Sequence, residues 1–252
     1  MHIHITGASG SGTTTLGRAL AQALGWRHLD ADSYYWLPTS PPFREKRVAA
    51  ERLALLRADL ACAGDAVLSG SVMGWGDVVE NAFGLVVFLY LSADIRMERL
   101  RRRELERYGV ANPDFLQWAS QYDEGPAEGR SLARHNAWLA QRTCPVLRLE
   151  EDMPVHERVA RVVAALPPNP ANLTDWRLHG QARHLQGAVF EWALYQPYRP
   201  GWEHDHCEFC GAEFSLDGTD ALRAGYATHD RYRWVCAPCF QDFRELMALR
   251  LE

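Results

Sequence analysis

The chain has 252 residues, is 47% hydrophobic and 23% charged, and carries a formal net charge of −5. This is the make-up of a globular protein of one large or two ordinary domains, and its acidic balance argues against a general nucleic-acid binder. No apolar run approaches the ~20 residues of a membrane-spanning helix, and no basic-then-apolar leader opens the chain, so a cytoplasmic address is expected in which the six cysteines are not disulfide staples.

Residues 2–6 predict a short strand. Residues 14–24 predict a helix, because Leu16, Leu20 and Leu24 repeat every four positions, and Gly25 closes it. A strand is expected over 26–30, a helix over 48–63 ended by Gly64, and a strand over 66–69. Residues 84–91 are almost continuously apolar, as in a central parallel strand buried on both faces. An arginine-rich helix over 93–108, two helical stretches within 113–141, a strand over 145–149 and a helix over 155–166 follow. This alternation predicts an α/β class: a three-layer α/β/α domain over 1–166 around a parallel five-stranded sheet. Prolines at 167, 168 and 170 suit a stiff linker over 167–175. Residues 176–252 differ in kind, being aromatic and turn-rich, and read as a small β/α module. Cys62 and Cys144 read as buried small apolar residues.

The join between the first strand and first helix carries the chemistry. Gly7 is followed by four residues, then Gly12, Thr13, Thr14 and Thr15. A phosphate-binding loop has glycine, four residues, glycine, lysine, then serine or threonine. Gly7, Gly10 and Gly12, with Ser11, let the backbone curl so that its N–H groups converge on phosphate oxygens. The helix starting near Thr13 adds its positive end. The Thr14 hydroxyl takes the Mg²⁺ position, and Thr13 and Thr15 can donate further hydroxyl bonds. Thr13, however, stands where the lysine belongs, and Lys46 is the single lysine of the chain. Losing one preorganised donor costs roughly 3 kcal/mol of transition-state stabilisation, so an active enzyme needs a substitute cation.

The first 166 residues resemble the nucleoside and nucleotide kinase group of P-loop proteins, which includes adenylate, cytidylate and shikimate kinases. One branch of the cytidylate kinases has a loop similar to "GSGTTT", residues 10–15, and lysine-free loops there belong to working enzymes. The resemblance implies ATP and Mg²⁺ as cofactors. Asp30 and Asp32 in "HLDADSYYW" match the D-x-D of shikimate-kinase-like proteins. By that likeness Asp30 holds water on Mg²⁺ opposite Thr14, and Asp32 faces the acceptor; a solvated, Asp-capped turn is the other reading. Glu98, Arg99, Leu100 and Arg103 match the E-R-L-x-x-R pattern entering an adenylate-kinase-like lid. Arg130 and Arg134 resemble the second arginine pair that closes onto phosphates in that family. The same arginines read alternatively as solvated helix faces paired with Glu104, Glu106 and Glu128. These arginines and Lys46 are the candidates for the missing charge. Ser69, Gly70 and Trp75 sit where related kinases line the acceptor site, with Trp36 and Trp75 either stacking on a planar acceptor or simply packing.

The C-terminal part carries two C-x-x-C pairs, Cys207–Cys210 and Cys236–Cys239, separated by 25 residues. Two such knuckles predict a closed zinc site of four cysteines, with a hairpin through 225–235 and a helix opened by the second pair, similar to a treble clef. His204, His206 and His229 read as surface residues. Asp217, Asp220 and Asp230 offset the arginines of 223–233, so protein contact or support of the chain itself ranks above nucleic acid for this module. The expected activity is an ATP-dependent phosphotransferase acting on a small, nucleotide-like acceptor. The alternative is a nucleotide-binding switch without turnover that positions the zinc module on a protein or nucleic-acid partner.

Overall fold

The computed structural model describes residues 1–125, 129–166, 175–178 and 183–252; Glu128 and positions 167–174 of the expected linker lie outside them. These residues form two compact units, one of 1–18 and 27–153, the other of 19–26 and 154–252.

In chain order residues 1–153 run β1 (His2–Gly7), α1 (Thr13–Leu24, of which 19–24 count with the second unit), β2 (Arg27–Asp30), α2 (Ala31–Tyr35), α3 (Ala49–Ala63), β3 (Ala66–Ser69), α4 (Asp77–Glu80), β4 (Leu85–Leu89), α5 (Ala93–Tyr108), α6 (Pro113–Ser120), α7 (Leu132–Leu139) and β5 (Val146–Leu149). The sheet is five-stranded in the order β2-β3-β1-β4-β5, and every pairing is parallel. All of β4 is at most 1% exposed, as its unbroken apolar run requires. Burying each such aliphatic side chain stabilises by about 1.5–3 kcal/mol. The register pairs Ser69 with both Ile5 and Asp30, and Gly7 with Leu89. Gly7, Asp30 and Ser69 therefore stand at one carboxyl edge of the sheet, where open α/β folds hold ligands.

Two short helices, α2 and α4, arise where the sequence reads as loop. Asp30 starts α2 by accepting the Asp32 N–H at 3.1 Å, a side-chain cap of ordinary kind. Gly76, at φ 101°, starts α4. Cys62 departs from expectation: it lies exposed on α3, whereas Cys144 is half-buried against the core.

Two histidines are sealed in this core. His4 stacks on Phe83 with ring centroids 4.8 Å apart, and His135 lies between Tyr122 and Thr6. Burial pushes both imidazoles down from 6.5 to about 3. The folded chain keeps them neutral while the unfolded chain takes up protons near pH 6.5. Their contribution is therefore complete above that pH and is lost as pH falls toward 3. Each should cost about 1.4 kcal/mol between pH 7.5 and 5.5. Denaturant unfolding at the two pH values checks this: a folded His4→Leu variant should show about 1.4 kcal/mol less of the loss.

The second unit contains α8 (Val155–Ala165), β6 (Val189–Leu194), β7 (His204–His206), β8 (Glu213–Ser215), β9 (Ala224–Ala227), β10 (Trp234–Val235), α9 (Ala237–Phe243) and β11 (Arg250–Leu251). One sheet has the order β10-β9-β6-β11, and β7 pairs with β8. The expected hairpin is β9–β10, with Trp234 opposite Ala227. Strand β6, which the sequence reading did not separate from its turn-rich surroundings, lies between β9 and β11. The core is aromatic: Phe190, Phe214, Trp234 and Phe243 are fully buried, and Tyr226 stacks on Phe240 at 3.8 Å.

Candidate active site

The loop between β1 and α1 is held tightly. Gly10 and Gly12 take φ of 85° and 95°, conformations that favour glycine. Both the Ser11 hydroxyl and its N–H donate to the Ala8 carbonyl, at 2.8 and 3.1 Å. A Cβ on Gly7 would collide with the Leu89 carbonyl oxygen, and one on Gly10 would lie 2.8 Å from that of Arg96. Any side chain at either position would push the loop off β4 or α5. Such a curled backbone running into a helix N-terminus concentrates N–H donors. Beside it the Thr14 hydroxyl donates to Asp30 Oδ2 at 3.2 Å, so the two oxygens expected at a magnesium ion are neighbours. Thr13 and Thr14 are partly buried and Thr15 is exposed.

Asp32 follows on α2. Crowding raises its carboxyl above the ordinary 3.8, and Asp30 adds to the rise, although much of the residue faces solvent. Arg130 and Arg103 act on it in the opposite direction. The Arg130 guanidinium is drawn down by burial and held up by Asp32, Tyr122 and Tyr35; it stays cationic at neutral pH. Arg103 lies over the Phe115 ring at 5.7 Å, and its Nε is buried without a hydrogen-bond partner. The four arginines read from sequence thus divide. Arg103 pairs with its neighbour Glu104 at 3.5 Å, as the alternative reading has it, Arg99 is paired with Asp152 at 2.6 Å, Arg134 is exposed on α7, and Arg130 is the one whose charge most opposes the rise at Asp32.

Arg96, which the sequence reading passed over, is fully buried. Its guanidinium donates to the Leu91 and Ala119 carbonyls at 3.0 and 3.3 Å and to Asp123 at 2.7 Å. With these partners it braces α5 against the end of α6. Tyr122 and His135 anchor the segment bearing Arg130: the Tyr122 carbonyl accepts the Leu132 N–H at 2.9 Å, its hydroxyl meets His135 Nδ1 at 2.7 Å, and His135 Nε2 lies 3.4 Å from the Thr6 hydroxyl.

The aromatic residues expected at an acceptor site are packed rather than open. Trp75 is 5% exposed and Tyr35 stacks on it at 6.3 Å. Trp36 meets Tyr35 edge-on at 4.9 Å. The Arg52 guanidinium from α3 lies over both Tyr35 and Trp75, at 4.9 and 4.7 Å, and its Nε is buried without a partner. Lys46 is exposed, 5.9 Å over Tyr35. Ser69 is fully buried and bonded to His28 Nε2 at 2.9 Å, while a Cβ on Gly70 would meet Ala31 at 2.8 Å; both belong to packing under the site. The sequence reading missed Arg52, whose neighbours four and eight residues on, Leu56 and Leu60, carry α3's buried stripe.

A family model described as an AAA domain matches residues 3–114. The uncharacterized protein YqaC of Bacillus subtilis is 48% identical over 178 residues, which are 67% of this chain and 98% of that one. The chain belongs to the YqaC family, in the P-loop kinase group. Shikimate kinase 2 of Yersinia enterocolitica is 31% identical over 111 residues, 39% of this chain and 62% of that relative. The cytidylate kinase of Methanocorpusculum labreanum is 29% identical over 119 residues, 41% and 63% of the respective chains. A solved shikimate kinase from Acinetobacter baumannii, in complex with shikimate, is 18% identical with a TM-score of 0.45, covering 64% of this chain and 90% of that one. No helix among the described residues of this YqaC-family member is long and apolar enough to cross a membrane.

The second unit gathers the paired cysteines. The sulfurs of Cys207, Cys210, Cys236 and Cys239 all lie within 4.8 Å of one another, and Cys210 and Cys236 are 3.6 Å apart. Tetrahedral zinc with ~2.3 Å bonds needs sulfurs about 3.8 Å apart, so the donor set fits such an ion. Gly211, at φ 72°, closes the first knuckle, and Cys236 stands at the N-cap of α9. The Cys236 N–H donates to Cys207 Sγ at 3.3 Å and Arg177 to Cys239 Sγ at 3.5 Å. His204, His206 and His229 are exposed and outside this cluster.

Proposed function

We propose that this protein is an ATP-dependent phosphotransferase whose acceptor is small, nucleotide-like and anionic. The observation that carries the reading is the curled loop beside the Thr14–Asp30 pair, with Asp32 next on α2. The loop amides bind the triphosphate. Thr14 and Asp30 would hold Mg²⁺, which supplies positive charge to the phosphates. Asp32 accepts the proton of the acceptor hydroxyl as its oxygen bonds to the γ-phosphorus, the β–γ bridge breaks and ADP leaves. Arg103 and Arg130 supply the charge that Thr13 lacks. Arg52, with its unsatisfied Nε between two rings, receives an acceptor carboxylate or phosphate.

The domain division follows the same logic. The match to YqaC spans nearly all of that relative yet leaves a third of this chain outside it, which supports a kinase domain over 1–166 and an appended four-cysteine zinc module over 176–252; by compactness alone α8 groups with the second unit.

ATP labelled in its γ-phosphate, incubated with nucleoside monophosphates and with hydroxylated carboxylates such as shikimate, should yield one labelled acceptor. Nucleotide binding with neither transfer nor hydrolysis would instead favour a switch without turnover. For the acceptor so found, Arg52→Ala should raise KM about 10–100-fold, the worth of one charge-assisted hydrogen bond, with a smaller effect on kcat. An unchanged KM removes Arg52 from the acceptor site.

A further inference from the structure

One arginine of the second unit, outside both cysteine motifs, reaches a cysteine sulfur. Arg177 lies in the short 3-10 turn Trp176–Leu178, well ahead of the paired cysteines in the chain. Its Nε donates to Asp175 Oδ1 at 3.0 Å and its Nη2 to Asp175 Oδ2 at 2.7 Å, a fork on one carboxylate. Nη2 also faces Asp242 Oδ2 of α9 at 2.7 Å. The remaining nitrogen, Nη1, donates to Cys239 Sγ at 3.5 Å. The guanidinium lies over the ring of the fully buried Phe243 at 4.6 Å.

The two carboxylates take up Nε and Nη2, and a guanidinium is a rigid planar fork. They therefore fix its plane and decide where Nη1 points. Cys239 is 1% exposed, so water cannot serve its sulfur. A thiol is a weak acceptor, and a charged N–H gains little from it; a thiolate is a strong one. Thiolate is the form in which cysteine holds zinc. Cys207, in the other knuckle, has a matching donor in the Cys236 N–H at 3.3 Å. One sulfur of each knuckle thus receives an N–H, the first from backbone and the second from a side chain that substitution can remove. An ion pair tying residues 175–178 to α9 would account for the Asp242 contact and leave the sulfur contact without a reason.

We propose that Arg177 is a positioning residue of the zinc site: its Nη1–H stabilises Cys239 as a metal-binding thiolate and raises the affinity for zinc, while Asp175 and Asp242 hold the guanidinium in place. Partners that orient and polarise a metal ligand in this way carry about 10–100-fold in metal affinity. The inference rests on the four-cysteine zinc reading. It does not depend on the kinase reading, since no residue of the phosphate loop takes part.

The test measures zinc affinity of the full chain by competition with a chelator of known affinity, and the thiolate-to-metal absorption band of the cobalt-substituted chain. Arg177→Lys keeps a positive charge for the two carboxylates and loses the fixed fork. It should bind zinc about tenfold more weakly or worse, and its cobalt band should move to longer wavelength as the Cys239 sulfur becomes more electron-rich. Asp242→Asn removes the ion pair to α9 and leaves the Asp175 fork. It should lose about threefold at most, since asparagine still accepts from Nη2, and its cobalt band should stay in place. Parental affinity and band in Arg177→Lys, or equal losses in Arg177→Lys and Asp242→Asn, would reduce Arg177 to a tie between residues 175–178 and α9 and overturn the proposal. A parent chain that takes up neither zinc nor cobalt would remove the zinc reading itself, and this proposal with it.

Discussion

Replacing Asp32 with Asn should slow phosphoryl transfer about 10²–10⁴-fold, the usual worth of a positioned general base, while leaving affinity for the magnesium nucleotide nearly unchanged. The substitution is structurally mild. Asp32 projects from the first turn of α2, and the cap that starts the helix uses its backbone N–H rather than its carboxylate. Burial and Asp30 raise its carboxyl above 3.8, so the rate should fall as pH drops through that raised value, where the base becomes protonated. The Asn variant should lack this acid limb. Asp77→Asn, at the exposed start of α4, serves as a control with parental rate. Rapid-quench rates with ADP binding measured in parallel check the claim; equal loss of rate and affinity would assign Asp32 to binding.

The second large effect concerns the cysteines. Chelation of the purified chain should unfold the second unit, since structural zinc contributes about 10–16 kcal/mol in small modules. The region has little else to spare: its aromatic core is bounded by strands of two to six residues, and Cys236 stands where α9 begins. Trp234, fully buried, should become solvent-exposed as metal leaves, and Cys239→Ser should do the same without chelator. Metal analysis should give about one zinc per chain. Retention of the buried tryptophan signal after complete zinc removal would make the metal dispensable.

The fold was legible wherever long apolar patterns run, and illegible where elements are short. Ala66–Ser69 and Ala93–Tyr108 lie at their expected bounds because a buried run and a glycine stop define them. The five residues of α2 and four of α4 are too short to show a helical period. Strand β6 buries Phe190 and Ala193, three apart, with Glu191 and Trp192 half-buried between them, so it lacks the period of two that marks a strand. For the site, local motifs carried the phosphate loop, the two aspartates and the four cysteines. Which arginines act together is a tertiary matter. Arg99 and Arg103 share a helix face, yet Asp152 takes the first and Glu104 the second. Arg52 reaches Tyr35 and Trp75 from α3, with no local motif to announce it.

Calorimetric titration of the full chain with ATP at millimolar magnesium is the most direct test of a lysine-free loop that grips phosphate through its backbone. Saturable uptake of one nucleotide per chain, abolished when Gly10→Val forces the loop from Arg96, is the predicted result. Absence of any uptake of adenine or guanine triphosphates by the folded parent chain would contradict it.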